Sequence, residues 1–352
     1  MRAAAMKASV IGAVFLIPMF VAVELHDRPP PVAIVVNGTP QYVRQRTTFG
    51  QALRQFHVRA LPGRLLDVEG KVIDRKADPG RVLLNGSTTP ASTPLADGDQ
   101  IISLNGVDST EGTRTIVTKL KGRRPGNPQY TLGTARVDQV TTEGRVSGKV
   151  VSVIYRPRSK FDRPPEVALT FDDGPWPNSS RKVLSILQRM HAEATFFVVG
   201  YLADRYPAIV RAEIDAGMTI GNHSWDHPTT PLFDQLEPHR MEAEMSQTND
   251  ALFQRFGLRP TLFRSPGGSL DGRVLKTAEG LGMRVVQWDV DPRDWSPRAT
   301  RASIVRNVLA NIKPGSIVDM HDGGGDQSAT IRALPAIIRG IRKMGLKLVA
   351  VR

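Results

Sequence analysis

The fold is decided by one ten-residue stretch, Glu166-Val167-Ala168-Leu169-Thr170-Phe171-Asp172-Asp173-Gly174-Pro175. Its first part, up to Phe171, has the composition of a buried strand. Asp-Gly-Pro alone makes a good turn, but two adjacent carboxylates at a strand end are unusual in a purely structural turn. Because adjacent side chains diverge where a strand ends, one carboxylate can hold a metal ion while its neighbour faces water as a base.

From this stretch to the C-terminus, strand and helix patterns alternate. Strands are predicted at 167–171, 194–199, 218–221, 261–263, 284–288, 316–320 and 347–351, and helices at 180–190, 203–216, 238–256, 274–281, 300–312 and 330–344. About seven strands alternating with helices indicate a parallel α/β fold, either a barrel or an open sheet. In such barrels the chemistry lies at the carboxyl ends of the strands, so polar residues should follow them.

A pair of histidines follows the third of these strands. His223 and His227 are four residues apart, so one helical turn would place both imidazoles on the same side. A single histidine is more often structural, but this pair combined with a strand-end aspartate suits a divalent metal ion. Three protein ligands leave one coordination position open to water, as in catalytic metal sites.

Three further polar stretches follow later strands in chain order. They are Arg264-Ser265-Pro266-Gly267-Gly268, Trp288-Asp289-Val290-Asp291-Pro292-Arg293-Asp294-Trp295 and Asp319-Met320-His321-Asp322-Gly323. A histidine at a strand end is a candidate general acid. Each stretch is a weak signal alone, but their order on successive strand ends indicates one active site.

Residues 165–352 resemble the NodB-like polysaccharide deacetylases, carbohydrate esterase family four. The five ordered motifs of that family correspond here to residues 170–175, 223–227, 264–268, 291–295 and 319–321. The resemblance implies a distorted (β/α) barrel that removes N-acetyl groups from a polysaccharide. It also implies that Asp173, His223 and His227 bind a divalent metal, commonly zinc, with cobalt as an alternative. Asp172 would be the general base, and His321 the general acid for the leaving amine.

The same resemblance implies supporting roles for other matched residues. Arg264 would pair with the general base, and Asp291 would pair with the general acid and favour its protonated form. The N–H of Gly267 would donate to the oxyanion, and Trp295 would form part of the wall around the acetyl group. These roles suit amide hydrolysis, which needs a nucleophile at neutral pH, a stabilised oxyanion and a protonated amine.

Two positions depart from the family pattern. Gly267 stands where the family usually has a bulky, often aromatic residue. Asp319 stands where a leucine usually contacts the acetyl methyl group, and a carboxylate there costs free energy unless it is paired or protonated. Asp319 could therefore point elsewhere, narrow the substrate range or reduce activity.

The N-terminus predicts export. Arg2 and Lys7 precede an uncharged run at residues 8–23, so residues 1–24 are interpreted as a signal peptide or membrane anchor. The run is shorter than the roughly 20 residues that span a bilayer comfortably. A good cleavage site does not follow it, which favours an uncleaved anchor. The protein is expected to be extracytoplasmic, either anchored in a membrane or secreted.

A small β-grasp-like α+β domain is predicted at residues 32–118, as a spacer or binding module. The pattern is a strand at 32–36, a turn at Asn37-Gly38, a short helix capped by Thr47 or Thr48, and a strand at 100–104. The Asn-Gly pairs that begin at residues 37, 85 and 105 leave a degenerate repeat as the alternative. Residues 119–164 are interpreted as a connecting region that partly packs on the catalytic domain at 165–352.

The amino-acid composition limits the kinds of partner and site that this protein can have. The chain has 352 residues, no cysteine and a net charge of +13. The missing cysteines exclude disulfides, thiolate metal sites and cysteine nucleophiles. The positive charge favours an anionic cell-wall or membrane surface, while nucleic-acid binding is not expected without a recognisable module. A monomer is expected.

The predicted substrate is the N-acetylglucosamine of peptidoglycan, followed by a chitin-like glycan. An O-acetyl esterase of xylan-type substrates is an alternative that uses the same site. A cell-wall-binding protein that keeps the fold without turnover is another, for which Asp319 is the main argument. A metalloprotease is disfavoured because the sequence lacks His-Glu-x-x-His.

Overall fold

A computed structural model describes residues 29–352. The predicted signal or anchor at residues 1–24 lies outside this range. The chain divides into two compact units, one ending at Gly112 and the other running from Thr113 to Arg352. Among the described residues, none of the helices is both long and apolar enough to cross a membrane.

The first unit is a small α+β domain. Its strands are β1 (Val32–Val36), β2 (Thr39–Val43), β3 (Gly63–Leu66), β4 (Val72–Asp78), β5 (Arg81–Leu84), β6 (Gln100–Leu104) and β7 (Ser109–Thr110), with helix α1 (Phe49–Gln55) after β2. One sheet has the order β2-β1-β6-β5, with β1 parallel to β6 and antiparallel neighbours outside this pair. This is the β-grasp-like arrangement that the sequence predicts. Thr48 caps α1 in a capping box with Gln51.

The second unit begins with an antiparallel sheet formed by β8 (Thr113–Leu120), β9 (Val137–Gly144) and β10 (Val150–Pro157). Most of the residues predicted as a connecting region lie in or between these strands. Between β8 and β9, Gln129 bridges to Val286 and Thr131 to Ser316. These bridges attach the antiparallel sheet to the α/β part of the same unit.

The rest of the second unit is a curved parallel sheet surrounded by helices. Its strands are β11 (Glu166–Gly174), β12 (Thr195–Val198), β13 (Thr219–Asn222), β14 (Leu262–Phe263), β15 (Arg284–Val285), β16 (Ile317–His321) and β17 (Lys347–Leu348). The order is β15-β14-β13-β12-β11-β16, and β17 also pairs with β11. A bridge from Val290 to Val318 brings the chain after β15 back to β16. The predicted distorted barrel of about seven parallel strands is confirmed.

Helices lie between these strands along the chain: α2 (Ser180–Arg189), α3 (Gly200–Arg205), α4 (Pro207–Asp215), α5 (Pro238–Phe256), α6 (Gly272–Gly280), α7 (Arg301–Asn311) and α8 (Ser328–Lys343). The single helix predicted at 203–216 is wrong, because α3 and α4 are separate. Tyr206 leaves the helical region at φ −123° and ψ 51°, and Pro207 begins α4. Pro207 has no backbone N–H and disfavours a helical residue before it, so the break follows from covalent structure.

Strand β11 lies in the middle of the main core. Val167, Ala168, Leu169 and Phe171 have no exposed surface, as expected for a strand covered on both faces. Strand β11 pairs in parallel with β12 on one side and β16 on the other. The carboxyl ends of three adjacent strands therefore meet around Asp172 and Asp173, where the polar motifs converge.

Candidate active site

The predicted site residues line one cavity of about 270 Å³ at the carboxyl ends of the strands. Its lining consists of Asp172, Asp173, His223, His227, Gly267, Trp288, Asp291, Trp295, Asp319 and His321. Arg264 lies buried behind this lining, with no exposed surface. The structure thus brings together residues that are up to 150 positions apart in the sequence.

Three of these side chains form a candidate metal centre. One ligand atom each from Asp173, His223 and His227 can be chosen so that all three lie within 4.8 Å of one another. Oδ1 of Asp173 is 3.4 Å from Nε2 of His223 and 3.1 Å from Nε2 of His227. Ligands at zinc–ligand distances of roughly 2.0–2.2 Å in a tetrahedron lie roughly 3.3–3.6 Å apart, so the spacing fits such an ion.

The hydrogen bonds around this centre also fit a cation. Nδ1 of His223 lies 2.7 Å from the carbonyl oxygen of Arg264, to which it can donate. In that tautomer Nε2 carries no proton, and its lone pair is available to a metal ion. Oδ1 of Asp173 is buried and accepts no hydrogen bond from the described residues. Burial opposes ionisation of Asp173, but the two imidazoles lower its pKa below the ordinary value. A carboxylate and two imidazoles of this kind could hold a divalent metal ion.

The backbone holds two of the three ligands in a rarely populated conformation. Asp173 has φ 70° and His227 has φ 57°, both in the left-handed region. The loop after β13 is fixed by side chains that bond its N–H groups: Ser224 Oγ accepts from His227, and Glu244 Oε2 accepts from Trp225 and Asp226. The local strain is therefore compensated by contacts that orient the ligands.

The predicted pair of Asp172 and Arg264 is present as a buried ion pair. Nη1 of Arg264 donates to Oδ1 of Asp172 over 2.8 Å. Nη1 also donates to Oγ1 of Thr170, and Nε and Nη2 donate to the backbone carbonyl groups of residues 286 and 287. The rings of Phe197 and Trp288 flank the cation. Oδ2 of Asp172 stays free of this network and lies 3.7 Å from Nε2 of His223. That oxygen faces the candidate metal centre.

The predicted pairing of Asp291 with His321 is wrong. Nδ1 of His321 lies 2.8 Å from Oδ1 of Asp294, and Oδ2 of Asp294 accepts from the N–H of His321 over 3.0 Å. Asp294 is almost completely buried, and Thr330 also donates to it. Burial alone would lower the pKa of His321, but the bond to Asp294, together with the charges of Asp319 and Asp172, raises it to about 10. The imidazole is therefore a cation at neutral pH, as a general acid requires.

Asp291 takes part in a local turn instead. Its Oδ1 accepts from the N–H of Arg293 two residues later, which is a typical aspartate turn before proline. Sequence reasoning missed Asp294 because the motif holds two acids three residues apart. The signal available was the Asp-Pro pair, since an aspartate before proline often bonds to its own backbone.

The remaining predicted residues lie at the cavity as follows. Trp295 is 55% exposed at the rim, and Gly267 lines the wall with φ 61°, a value that would strain most other residues. Asp319 does not point away from the site: it is buried, lines the cavity and accepts from Arg264 over 3.0 Å. Burial and the nearby Asp172 raise the pKa of Asp319 well above its ordinary value, against the lowering effect of Arg264.

This arrangement can perform an acid–base hydrolysis. A carboxylate acceptor and an imidazolium donor lie on adjacent strands, with Asp172 directly opposite His321 in the sheet register. The three candidate metal ligands, which could hold a divalent ion as a Lewis acid, lie beside them. These are the parts needed to attack a carbonyl group and to protonate a poor leaving group.

Comparison with known proteins points the same way. Residues 160–286 match the family described as Polysaccharide deacetylase. The chain is 38% identical over 189 residues to a peptidoglycan-N-acetylglucosamine deacetylase of Bacillus cereus, covering 53% of this chain and 85% of that protein. It is 35% identical over 196 residues to a chitooligosaccharide deacetylase of Azorhizobium caulinodans, covering 52% and 90%.

The fold is similar to a solved structure as well. The crystal structure of the Bc1960 peptidoglycan N-acetylglucosamine deacetylase superimposes with a TM-score of 0.51 at 33% identity. The match covers 53% of this chain and 86% of that chain. Both the sequence and the fold similarities extend over roughly half of the present chain.

Proposed function

This chain belongs to the polysaccharide deacetylase family, and we propose that it removes N-acetyl groups from an extracytoplasmic glycan with the help of a divalent metal ion. It is a polysaccharide N-deacetylase, a hydrolase of linear amides. The observation that carries the metal-dependent reaction is the convergence of Asp173, His223 and His227 beside Asp172 and His321 in one cavity. Zinc is the proposed ion, since two imidazoles and a carboxylate suit it.

In the proposed reaction the chain's own residues move the protons. A divalent ion held by the three ligands would act as a Lewis acid on the amide carbonyl group. Asp172, oriented by Arg264, takes a proton from the attacking water through its free Oδ2. His321, kept cationic by Asp294, gives a proton to the nitrogen of the leaving amine. The N–H of Gly267 is the proposed donor to the oxyanion.

The proposed substrate is the N-acetylglucosamine of peptidoglycan, with a chitin-like glycan as the second candidate. The matched Bacillus cereus and Azorhizobium caulinodans proteins are named for these two substrates. Export is proposed from the basic, apolar N-terminus, and the net charge of +13 would favour an anionic wall or membrane surface. O-acetyl esterase action on xylan-type substrates is the alternative for the same site.

Acetate release tests this function. The purified protein would be incubated with N-acetylglucosamine oligomers and with peptidoglycan, after chelation and again after zinc is restored. We expect acetate only with the metal. Asp172→Asn and His223→Ala should each lower the rate by about 10²–10⁴-fold, because they remove the base and a metal ligand.

The matched control is His239→Ala, which removes an exposed histidine on α5 away from the cavity and should leave the rate unchanged. Equal acetate release by the wild type and both site variants would overturn the proposal. Glycan binding without any acetate release would favour the cell-wall-binding alternative instead.

A further inference from the structure

The deep end of the cavity carries a carboxylate that the proposed reaction does not use. Asp319 lies on β16 two residues before His321, so both side chains point to the same face of the sheet. In the register with β11, Asp319 is opposite Thr170 and His321 is opposite Asp172. Asp319 therefore lies one pleat, roughly 6–7 Å, deeper than the acid–base pair.

The hydrogen bonds of Asp319 leave one oxygen for a ligand. Oδ1 accepts from Nη1 of Arg264 over 3.0 Å. Within residues 29–352 no hydrogen bond to Oδ2 is found, and the residue lines the cavity with only 3% of its surface exposed. The guanidinium of Arg264 is held in place by its bonds to Thr170, to Asp172 and to two backbone carbonyl groups, so it is not free to turn toward Oδ2.

The direction of the substrate follows from the shape of the site. A glycan chain is too long for a cavity of about 270 Å³, so the sugar must lie across the mouth and only its N-acyl arm can enter. The nitrogen has to stay near His321 to receive a proton. The far end of the acyl group then points toward Asp319, on the same face of β16.

A methyl group at that end would leave the carboxyl oxygen without a partner. A buried polar group that loses its water without gaining a hydrogen bond weakens binding, whereas a hydroxyl group would restore the bond. Burial and Asp172 raise the pKa of Asp319, and a carboxyl group in either protonation state can bond to a hydroxyl.

We propose that Asp319 is a specificity-determining residue that selects an N-acyl group with a hydroxyl on its α-carbon, namely N-hydroxyacetyl (N-glycolyl), over N-acetyl. The inference rests on the proposed function, because it concerns the same amide hydrolysis. Water adds to the carbonyl carbon, the C–N bond breaks, and the amine leaves with the proton from His321. The products are glycolate and the free amino sugar, without any oxidant or reductant.

The experiment compares two substrates within each variant. Oligomers of N-glycolylglucosamine and N-acetylglucosamine of equal length are hydrolysed by the zinc-loaded full chain, and kcat/KM is measured for each. We expect the wild type to prefer the glycolyl oligomer by about 10-fold or more, since a site with a buried polar group discriminates against a substrate that lacks its partner. Asp319→Leu should reverse the preference, and Asp319→Asn should keep part of it.

The ratio of the two kcat/KM values removes any common effect of misfolding or of a disturbed Arg264. Asp291→Asn is the matched control, because it changes another cavity carboxylate that lies nearer the rim and is engaged in its own turn. We expect the ratio in Asp291→Asn to equal that of the wild type. A wild-type preference for acetyl that Asp319→Leu leaves unchanged would overturn the inference.

A second readout does not depend on turnover. Calorimetric titration of the full chain with acetate and with glycolate measures binding of the two acid products. Glycolate should bind more tightly to the wild type and lose this advantage in Asp319→Leu. If neither the oligomers nor peptidoglycan are hydrolysed, the proposed function fails. The binding ratio of glycolate to acetate still decides the role of Asp319, because equal binding of the two acids would refute the proposed selectivity.

Discussion

The charge of His321 depends most strongly on one neighbour, Asp294. Its imidazole is largely buried, which by itself disfavours the cation, yet its pKa is raised to about 10 because Asp294 accepts from Nδ1 and the charges of Asp319 and Asp172 add to the effect. The raised value lies above the ordinary 6.5, so the protonated form persists through neutral pH and is lost only as the pH approaches 10. The residue that contributes most to this shift is Asp294, which does not line the cavity.

Replacing Asp294 tests this dependence. Asp294→Asn removes the charge that stabilises the imidazolium, so the alkaline limb of the rate profile should move to lower pH by roughly 1–3 units. The measurement is acetate release from N-acetylglucosamine oligomers across pH 6–10. Asp291→Asn is the matched control and should leave that limb in place. A shift in the control with none in Asp294→Asn would mean that the histidine is paired differently in solution.

Helix α4 carries an acid on its buried face. Ile209, Val210 and Glu213 are the buried residues of this helix. Both carboxyl oxygens of Glu213 lack a hydrogen-bond partner among the described residues. Burial raises the pKa of Glu213 well above its ordinary value, and the charge of Asp322 adds to the effect. The helix thus contributes most to stability when this acid is protonated.

The sign of the pH dependence follows. The folded pKa of Glu213 lies above the unfolded pKa, so the folded state retains the proton longer, and stability falls as the pH rises above roughly 4.5 toward the raised value. Glu213→Gln mimics the protonated acid, so its stability gain over the wild type should be larger at pH 8 than at pH 5, by on the order of 1–3 kcal/mol of unfolding free energy. Thermal melts at both pH values measure this.

The control for Glu213→Gln is Glu279→Gln, which changes an exposed acid on α6. It should alter Tm equally at the two pH values. An identical gain at pH 5 and pH 8 in Glu213→Gln would show that folding does not shift the pKa of this carboxyl group, because stability depends on pH only where the folded and unfolded pKa values differ.

The whole chain carries a net charge of +13 spread over 352 residues. A surface of this sign attracts anionic polymers and lipid headgroups, and the attraction is screened as salt shortens the Debye length from about 10 Å at 0.1 M. We therefore expect the protein to bind anionic surfaces, and to bind them less as the salt concentration rises.

Vesicle binding tests this attraction. Sedimentation of the protein with vesicles that contain an anionic phospholipid should show binding that falls roughly 10-fold or more between 50 and 300 mM salt. Vesicles made only of a zwitterionic lipid are the control and should bind little at either salt concentration. Binding that is strong but independent of salt would contradict an electrostatic origin and would point to apolar insertion.

The predictions that succeeded rest on local patterns. The alternation of apolar strands with amphipathic helices predicted the parallel barrel, because these periodicities are read over a few residues. The proximity of Asp173, His223 and His227 was predictable as well, since side chains just after parallel strands meet at one edge of the sheet. Even the helix break at Pro207 was readable from the covalent constraint, although the prediction passed over it.

The partners of each charged group were decided by the tertiary structure. The Asp-Pro pair marks Asp291 as a turn residue, but the partners of Asp294 come from distant segments: His321 on β16 and Thr330 on α8 both bond to it. Likewise, Asp172 and Asp319 share Arg264 because the register of β11 against β16 aligns strands almost 150 residues apart. The sequence alone determines which side chains follow the strands and so reach the cavity. Which of them pair depends on differences of a few tenths of an ångström in hydrogen-bond distance, between segments that only folding brings together.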